Sequence, residues 1–362
     1  MIVKHGNPGG GQDVVQMEER VSRRWNSRVT LQDVADASDV SVATVSRVLS
    51  GNPAITEATA IRVREAMSAL GYEPNVLARA LRTNKTLTIG LVVPDIANPF
   101  YAEITKVAQR VSAEAGYNLI LCDSDYSHEQ EERLLLNLAR RHVDGVLFMA
   151  TGNPGTAIKL LTERQVPFVL MDTELEPYSR INAVLTDPDR GVYEATRYLL
   201  DLGHRAIAFI AAPLELLPNP RMLVAYQRAM EEADVHRDDL LVHAAVTVEG
   251  AHAVSGVLLD GPRPTAIVAY ADLMAMGAYQ AAQERGLRIP TDLSVLGFDD
   301  TVIAPFLNPK LTTVATDKGG IGREAVALLL NQIKEGRPSR HIVTLPPRLV
   351  IRDSCAPPPD AR

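Results

Sequence analysis

The chain of 362 residues predicts an all-α helix-turn-helix head and an α/β core of two doubly wound parallel-sheet subdomains. Two observations carry this. Residues 30–50 read as two short helices joined by a tight turn, the second rich in small polar residues with one arginine. From Leu87 onward, apolar runs alternate with helix-like stretches, and the pattern restarts after Asp187. Apolar runs alternating with helices imply parallel sheets covered on both faces. The stretch is longer than one open sheet needs, hence two subdomains.

Composition sets the class. Hydrophobic residues make up 46% and charged residues 22%, the balance of an ordinary globular chain. A net charge of −7 argues against a chain coated in nucleic acid. Residues 28–85 hold seven Lys/Arg against six Asp/Glu, leaving a balance of −8 elsewhere. A near-neutral head on an acidic body fits weak non-specific DNA affinity, because phosphate neutralisation drives that term. Cys122 and Cys355 have no metal spacing and suggest no disulfide framework, which points to the reducing cytoplasm. No run of 18 apolar residues offers a membrane span. Residues 1–27 read as a disordered polar tail without an apolar leader, and Met17 offers a second start.

In the head, Thr30 caps a first helix from Leu31 to about Ala37, with Asp33 at its positive end. Ser38-Asp39 makes the turn, because Asp tolerates left-handed geometry. Ser41 caps a second helix, Val42–Leu49. Val45, Val48 and Leu49 form its packing face. Val42, Ala43, Ser46 and Arg47 form a face suited to bases. Asn52-Pro53 breaks the helix, and Thr56 caps a third, Glu57–Leu70, stopped by Gly71. A generic three-helix bundle has the same outline. Residues 73–86 are a connector.

The body begins with the apolar run Leu87–Val93. Then come helix Tyr101–Ala115, run Asn118–Cys122, helix Glu129–Arg141, run Gly145–Met149, helix Ala157–Arg164 and run Pro167–Met171. The second half adds helix Gly191–Leu202, strand Ala206–Ala211, helix Met222–Ala233, strand Ala266–Tyr270, helix Leu273–Arg285 and strand Ser294–Phe298. Ligands of such sheets sit at the carboxyl ends of strands. There the sequence carries Asp95, Asp123, Asp172 and Asp299, all acceptors for hydroxyls or amines.

Thr30–Ser50, Leu70-Gly71-Tyr72-Glu73-Pro74-Asn75 and Ala78-Arg79-Ala80-Leu81-Arg82-Thr83 closely resemble the lac-repressor (LacI/GalR) family of bacterial transcription factors. The resemblance runs on through Ile89–Tyr101, Leu202-Gly203-His204-Arg205, Asp272–Gly277, Gly297-Phe298-Asp299-Asp300 and Leu311-Thr312-Thr313-Val314, in order from about Val29 to Asp353. It implies a helix-turn-helix domain at 28–72 and a hinge helix within 73–86. It also implies a periplasmic-binding-protein-like core at 87–354, with subdomains of about 87–186 plus 317–343 and 188–315 plus 345–354. Residues 355–362 are left as a tail.

The resemblance also implies roles. Val42 and Ala43 specify bases through apolar contact, and Arg47 reaches a base edge, as arginine commonly reads guanine. Ser41, Thr44 and Ser46 touch phosphates. Leu81 wedges into the minor groove, a known device for kinking DNA, with Ala78 and Arg79 alongside, and Asn75 is a further DNA-binding residue. A linker leucine packed on the body is the other reading of Leu81. Family effectors are sugars, sugar derivatives or nucleobases. Phe100 and Tyr101 match a cleft-lining pair, or else belong to the core. Asp172 and Asp299 match acidic cleft residues, Asp123 is a further strand-end candidate, and Asp272 suits a helix N-cap better.

Departures are visible. Ser38-Asp39 replaces the family's usual Ala-Gly turn. The arginine that clamps many family effectors is replaced by Met222, with Arg221 one residue early, and one residue turns a helix by about 100°. Ala271 stands where sugar-binding members often have Asn. The expected cleft is less polar than a standard sugar site, which leaves the effector class, and whether there is one, open.

The expected function is a homodimeric, effector-controlled repressor on a pseudo-palindromic operator. A solute-binding transport protein would use the body but not the head. No P-loop, Gly-x-Ser-x-Gly or His-x-x-x-His pattern suggests an enzyme, cofactor or metal. His204 reads as a structural cap before a catalytic base.

Overall fold

The computed structural model describes residues 29–72, 85–173, 181–216, 221–336 and 340–359. The chain divides into two compact units, residues 1–84 and 85–362.

The first unit packs three helices: α1 Leu31–Ala37, α2 Val42–Leu49 and α3 Glu57–Leu70. Each starts on a hydroxyl cap, from Thr30, Ser41 and Thr56 respectively. Thr30 and Asp33 form a reciprocal capping box, with Thr30 N donating to Asp33 at 2.7 Å. Val34, Ala35, Val45 and Val63 form the buried centre. Asp39 turns the chain at φ 51°, and Gly71 ends α3 at φ 63°.

The second unit holds two six-stranded sheets. The first contains β1 Thr88–Val93, β2 Asn118–Asp123, β3 Gly145–Met149, β4 Phe168–Met171, β5 Asn182–Thr186 and β11 Ile342–Leu345, in the order β11-β5-β4-β3-β1-β2. All its pairings are parallel. Helices α4 Pro99–Glu114, α5 His128–Arg140, α6 Gly155–Glu163 and α11 Lys318–Glu335 cover it. The second sheet contains β6 Ile207–Ala211, β7 Leu241–His243, β8 Ala266–Ala269, β9 Ser294–Asp299, β10 Thr312–Ala315 and β12 Arg348–Val350, in the order β12-β10-β9-β8-β6-β7. Only the β10–β12 pairing is antiparallel. Its helices are α7 Pro188–Asp201, α8 Arg221–Glu232, α9 Val248–Asp260 and α10 Asp272–Glu284. The chain passes between the sheets three times, after β5, β10 and β11.

Local chemistry explains where elements start. Asn98 accepts from Phe100 N at 3.0 Å, and Pro99 takes the first helical position. Helix α4 therefore begins two residues before the predicted Tyr101. The pair α9–α10 packs closely because Gly277 has no Cβ; one there would strike the Val248 carbonyl and the His252 amide.

Two expectations change on folding. His204 is fully buried, and its Nε2 donates to the Ala356 carbonyl at 2.9 Å. Its Nδ1 is left to accept from the Thr265 hydroxyl at 2.8 Å. Burial holds its pKa below the ordinary value. His204 is thus a neutral tie for the segment after Ser354, which the sequence suggested was a tail. Asp272 is not the N-cap of α10; Ala271 is. The buried Asp272 carboxylate accepts from Thr301 N at 2.7 Å and Thr313 Oγ1 at 2.6 Å. Burial raises its pKa to about 6 against these bonds. Among the described residues, no helix is long and apolar enough to cross a membrane.

Candidate nucleic-acid interface and ligand cleft

In the head, helix α2 presents Ser41, Ala43 and Arg47 to solvent, with Thr44 and Ser46 half-buried. Ser41 Oγ accepts from Thr44 N at 3.1 Å and lies 2.9 Å from Thr44 Oγ1. This caps the helix and occupies two of the side chains expected at phosphates. Ala43 and Arg47 are four residues apart and share one face. Val42 differs from its sequence assignment: it is half-buried and packs against the head's core. Only part of its side chain remains for a base. Ser38 is buried and donates to the Val34 carbonyl at 2.6 Å, so the extra hydroxyl is satisfied inside the turn. Asn75, Ala78, Arg79 and Leu81 lie outside the described residues.

In the body, a cleft of about 600 Å³, counted to its open mouth, lies between the carboxyl ends of both sheets. This is where the topology predicts a ligand. Phe100 and Tyr101 follow β1, Met149 and Ala150 end β3, and Asp172 follows β4. From the second sheet come Met222, Tyr270, Ala271, Phe298 and Asp299. Phe100 and Tyr101 meet edge to face, with centroids 5.1 Å apart.

The four sequence-named residues Phe100, Tyr101, Asp172 and Asp299 therefore come together. Asp123 and Arg221 do not join them. Asp123 accepts from Ile96 N at 3.0 Å and Asp125 N at 2.8 Å, so its carboxylate pins two loops. Arg221 is exposed at the first turn of α8, while Met222 faces the cleft. Tyr270, Asn98, Val246 and Phe298 were not singled out from sequence. Tyr270 directly follows β8, so the strand-end rule could have found it.

Electrostatics distinguish the two cleft carboxylates. Asp172 accepts from the Thr186 hydroxyl, yet burial still raises its pKa. Asp299 is 8% exposed, and among the described residues no donor bonds its carboxylate. Burial, then the charge of Asp272, pushes its pKa well above the usual range, against the pull of Lys318. Both aspartates have positive φ, 50° and 104°. Such strain persists only where surrounding structure imposes it. Tyr101 and Tyr270 are pushed well above 10 by burial and are neutral.

One tie spans the two halves. Glu103 on α4 accepts from Val302 N at 2.9 Å, and its carboxylate lies 3.8 Å from Lys318 Nζ. Lys318 Nζ donates to the carbonyls of Asp299 at 2.5 Å and Asp300 at 2.8 Å. Neither residue was named from sequence. No group of three or more His, Cys, Asp or Glu poised for a metal occurs among the described residues.

Residues 30–75 match the family described as bacterial regulatory proteins, lacI family, and residues 196–355 match a periplasmic binding protein-like domain. Catabolite control protein A of Priestia megaterium is 37% identical over 329 residues, covering 90% of this chain and 99% of the relative. This chain belongs to the lacI family. Solved structures similar to this lacI-family chain include a transcriptional regulator CelR–cellobiose complex, at 32% identity and TM-score 0.69, covering 90% of this chain and 100% of that one. A lac repressor dimer bound to operator and an anti-inducer is 26% identical with TM-score 0.82, covering 91% and 100%. The lacI-family chain is a DNA-binding transcriptional regulator with an effector-binding core, a role distinct from an enzyme's.

Proposed function

We propose that this lacI-family regulator represses transcription as a homodimer on a pseudo-palindromic operator, under control of a small molecule in the cleft. The observation that carries the reading is the presence, on one chain, of a capped head helix exposing Arg47 and a strand-end cleft holding Asp299. Arg47 hydrogen-bonds a base edge, and Ala43, with the exposed part of Val42, offers apolar contact. Ser41, Thr44 and Ser46 contact phosphates. Asn75, Ala78, Arg79 and Leu81 supply the minor-groove contact. Two-fold protein symmetry matches palindromic DNA. The effector acts by binding one arrangement of the two halves better than the other, which couples the cleft to the operator.

The test is selection of binding sites from a random DNA library with the full-length protein, followed by gel shift. The expected result is an inverted repeat bound at moderate salt, with affinity altered by a cleft ligand. Recovery of no preferred sequence would overturn the reading.

A further inference from the structure

Resting on that reading of the cleft as the effector site, we propose that it takes an organic cation. The ligand is an amine whose ammonium docks on the Asp299 carboxylate beside Asp172, with its apolar part on the Tyr101 and Tyr270 rings.

The argument starts from Asp299. The residue is 8% exposed, lines the cleft, and its carboxylate accepts no hydrogen bond from the described residues. A buried carboxylate without a donor is costly unless something supplies one. The neighbouring acids are occupied: Asp272 by Thr301 and Thr313, Asp172 by Thr186, and Glu103 by Val302. The nearby cation, Lys318, directs its ammonium to the backbone carbonyls of Asp299 and Asp300 and lies against Glu103. The Lys318 ammonium is thus engaged by two carbonyls and Glu103, and makes no hydrogen bond to the Asp299 carboxylate. No Lys, Arg or His lines the cleft among the described residues, and Met222 stands on the wall where an arginine would have balanced the charge.

The remaining wall suits the same ligand. Phe100, Tyr101, Tyr270 and Phe298 are aromatic, and the negative face of a ring attracts a cation. Met149, Ala150, Met222 and Val246 are apolar. An anion would be repelled by an ionised Asp299. A neutral polyol would gain nothing from ionising it. An ammonium pairs with the carboxylate and favours its ionised form. A docked ammonium would also pull the raised Asp299 pKa back down, so binding expels a proton.

The experiment uses the full-length protein and three matched pairs: butylamine against butanol, benzylamine against benzyl alcohol, and phenethylamine against phenethyl alcohol. Thermal shift and calorimetry in two buffers are read, with ribose as a sugar control. At least one amine is expected to raise Tm and release a proton while its alcohol does neither. Asp299→Asn should weaken that amine about 30-fold or more. Because that variant could misfold, its ligand-free Tm is measured, and Met222→Arg serves as a second variant. An arginine there supplies the missing cation and should abolish the amine's effect. If every alcohol matches its amine, or only ribose binds, the proposal fails. Operator selection on the same protein separates the cases: an inverted repeat recovered without amine binding sinks this inference alone. No preferred operator sinks the regulator reading.

Discussion

Arg47 is exposed and makes no ion pair among the described residues, so its guanidinium is available to a base edge. Arg47→Ala should cost about 1–3 kcal/mol per half-site and relax preference at one base position, read by gel shift on operator variants. Glu131 shows how burial acts on a group outside both sites. It is 2% exposed, accepts from Thr151 N at 2.7 Å, and is pushed from 4.5 to about 7 by burial. A raised carboxyl pKa means the folded state holds a proton the unfolded chain has lost. Stability from this group is therefore full below pH 4.5 and falls as pH rises to about 7. Glu131→Gln cannot titrate. Denaturant melts should show the variant gaining on the parent, between the two ends of that window, by on the order of 3 kcal/mol. The strand-end aspartates show the limit of sequence. Asp123 and Asp299 carry the same signal, but Asp123 has backbone amides within reach and Asp299 does not. That difference depends on how a neighbouring loop folds back.

Capping chemistry made the head legible: Thr30, Ser41, Thr56 and Gly71 mark helix ends where the structure has them. Asp39 takes the turn at φ 51° with a side chain that glycine would spare. Asp39→Gly should stabilise the head by about 0.5–1 kcal/mol, seen as slower amide exchange in α1 and α2 of the full chain. An unchanged exchange rate would mean the turn carries no strain. Helix α9 was missed because three of its five buried residues, Ala251, Ser255 and Gly256, are small and give weak amphipathic contrast beside Leu258 and Leu259. Val42 was placed on the wrong side in part, since it lies one turn before Val45 and two turns before Leu49 and packs with them against the head's core.

Three crossings join the body's halves, and Glu103 ties them across the cleft through Val302 and Lys318. Glu103→Ala should loosen this tie and raise the radius of gyration in small-angle scattering. Glu103→Gln keeps an acceptor for Val302 N and should raise it less. Equal scattering from both variants and the parent would remove Glu103 from control of closure. The surface ion pairs, such as Arg288–Asp292 at 2.8 Å, are exposed and contribute little by comparison.

Sequence by itself determined the head, the two parallel-sheet halves and the strand ends where a ligand would sit. Those follow from local rules: caps, periodicity and the direction of parallel strands. Tertiary structure alone decided which acids face the cleft, which serve as loop anchors, and that the segment after Ser354 packs onto His204. It also brought Glu103 to Val302, which are 199 residues apart. The physical reason is that a carboxylate's role depends on the donors around it. Those donors arrive from distant segments through a three-dimensional arrangement that no local pattern encodes.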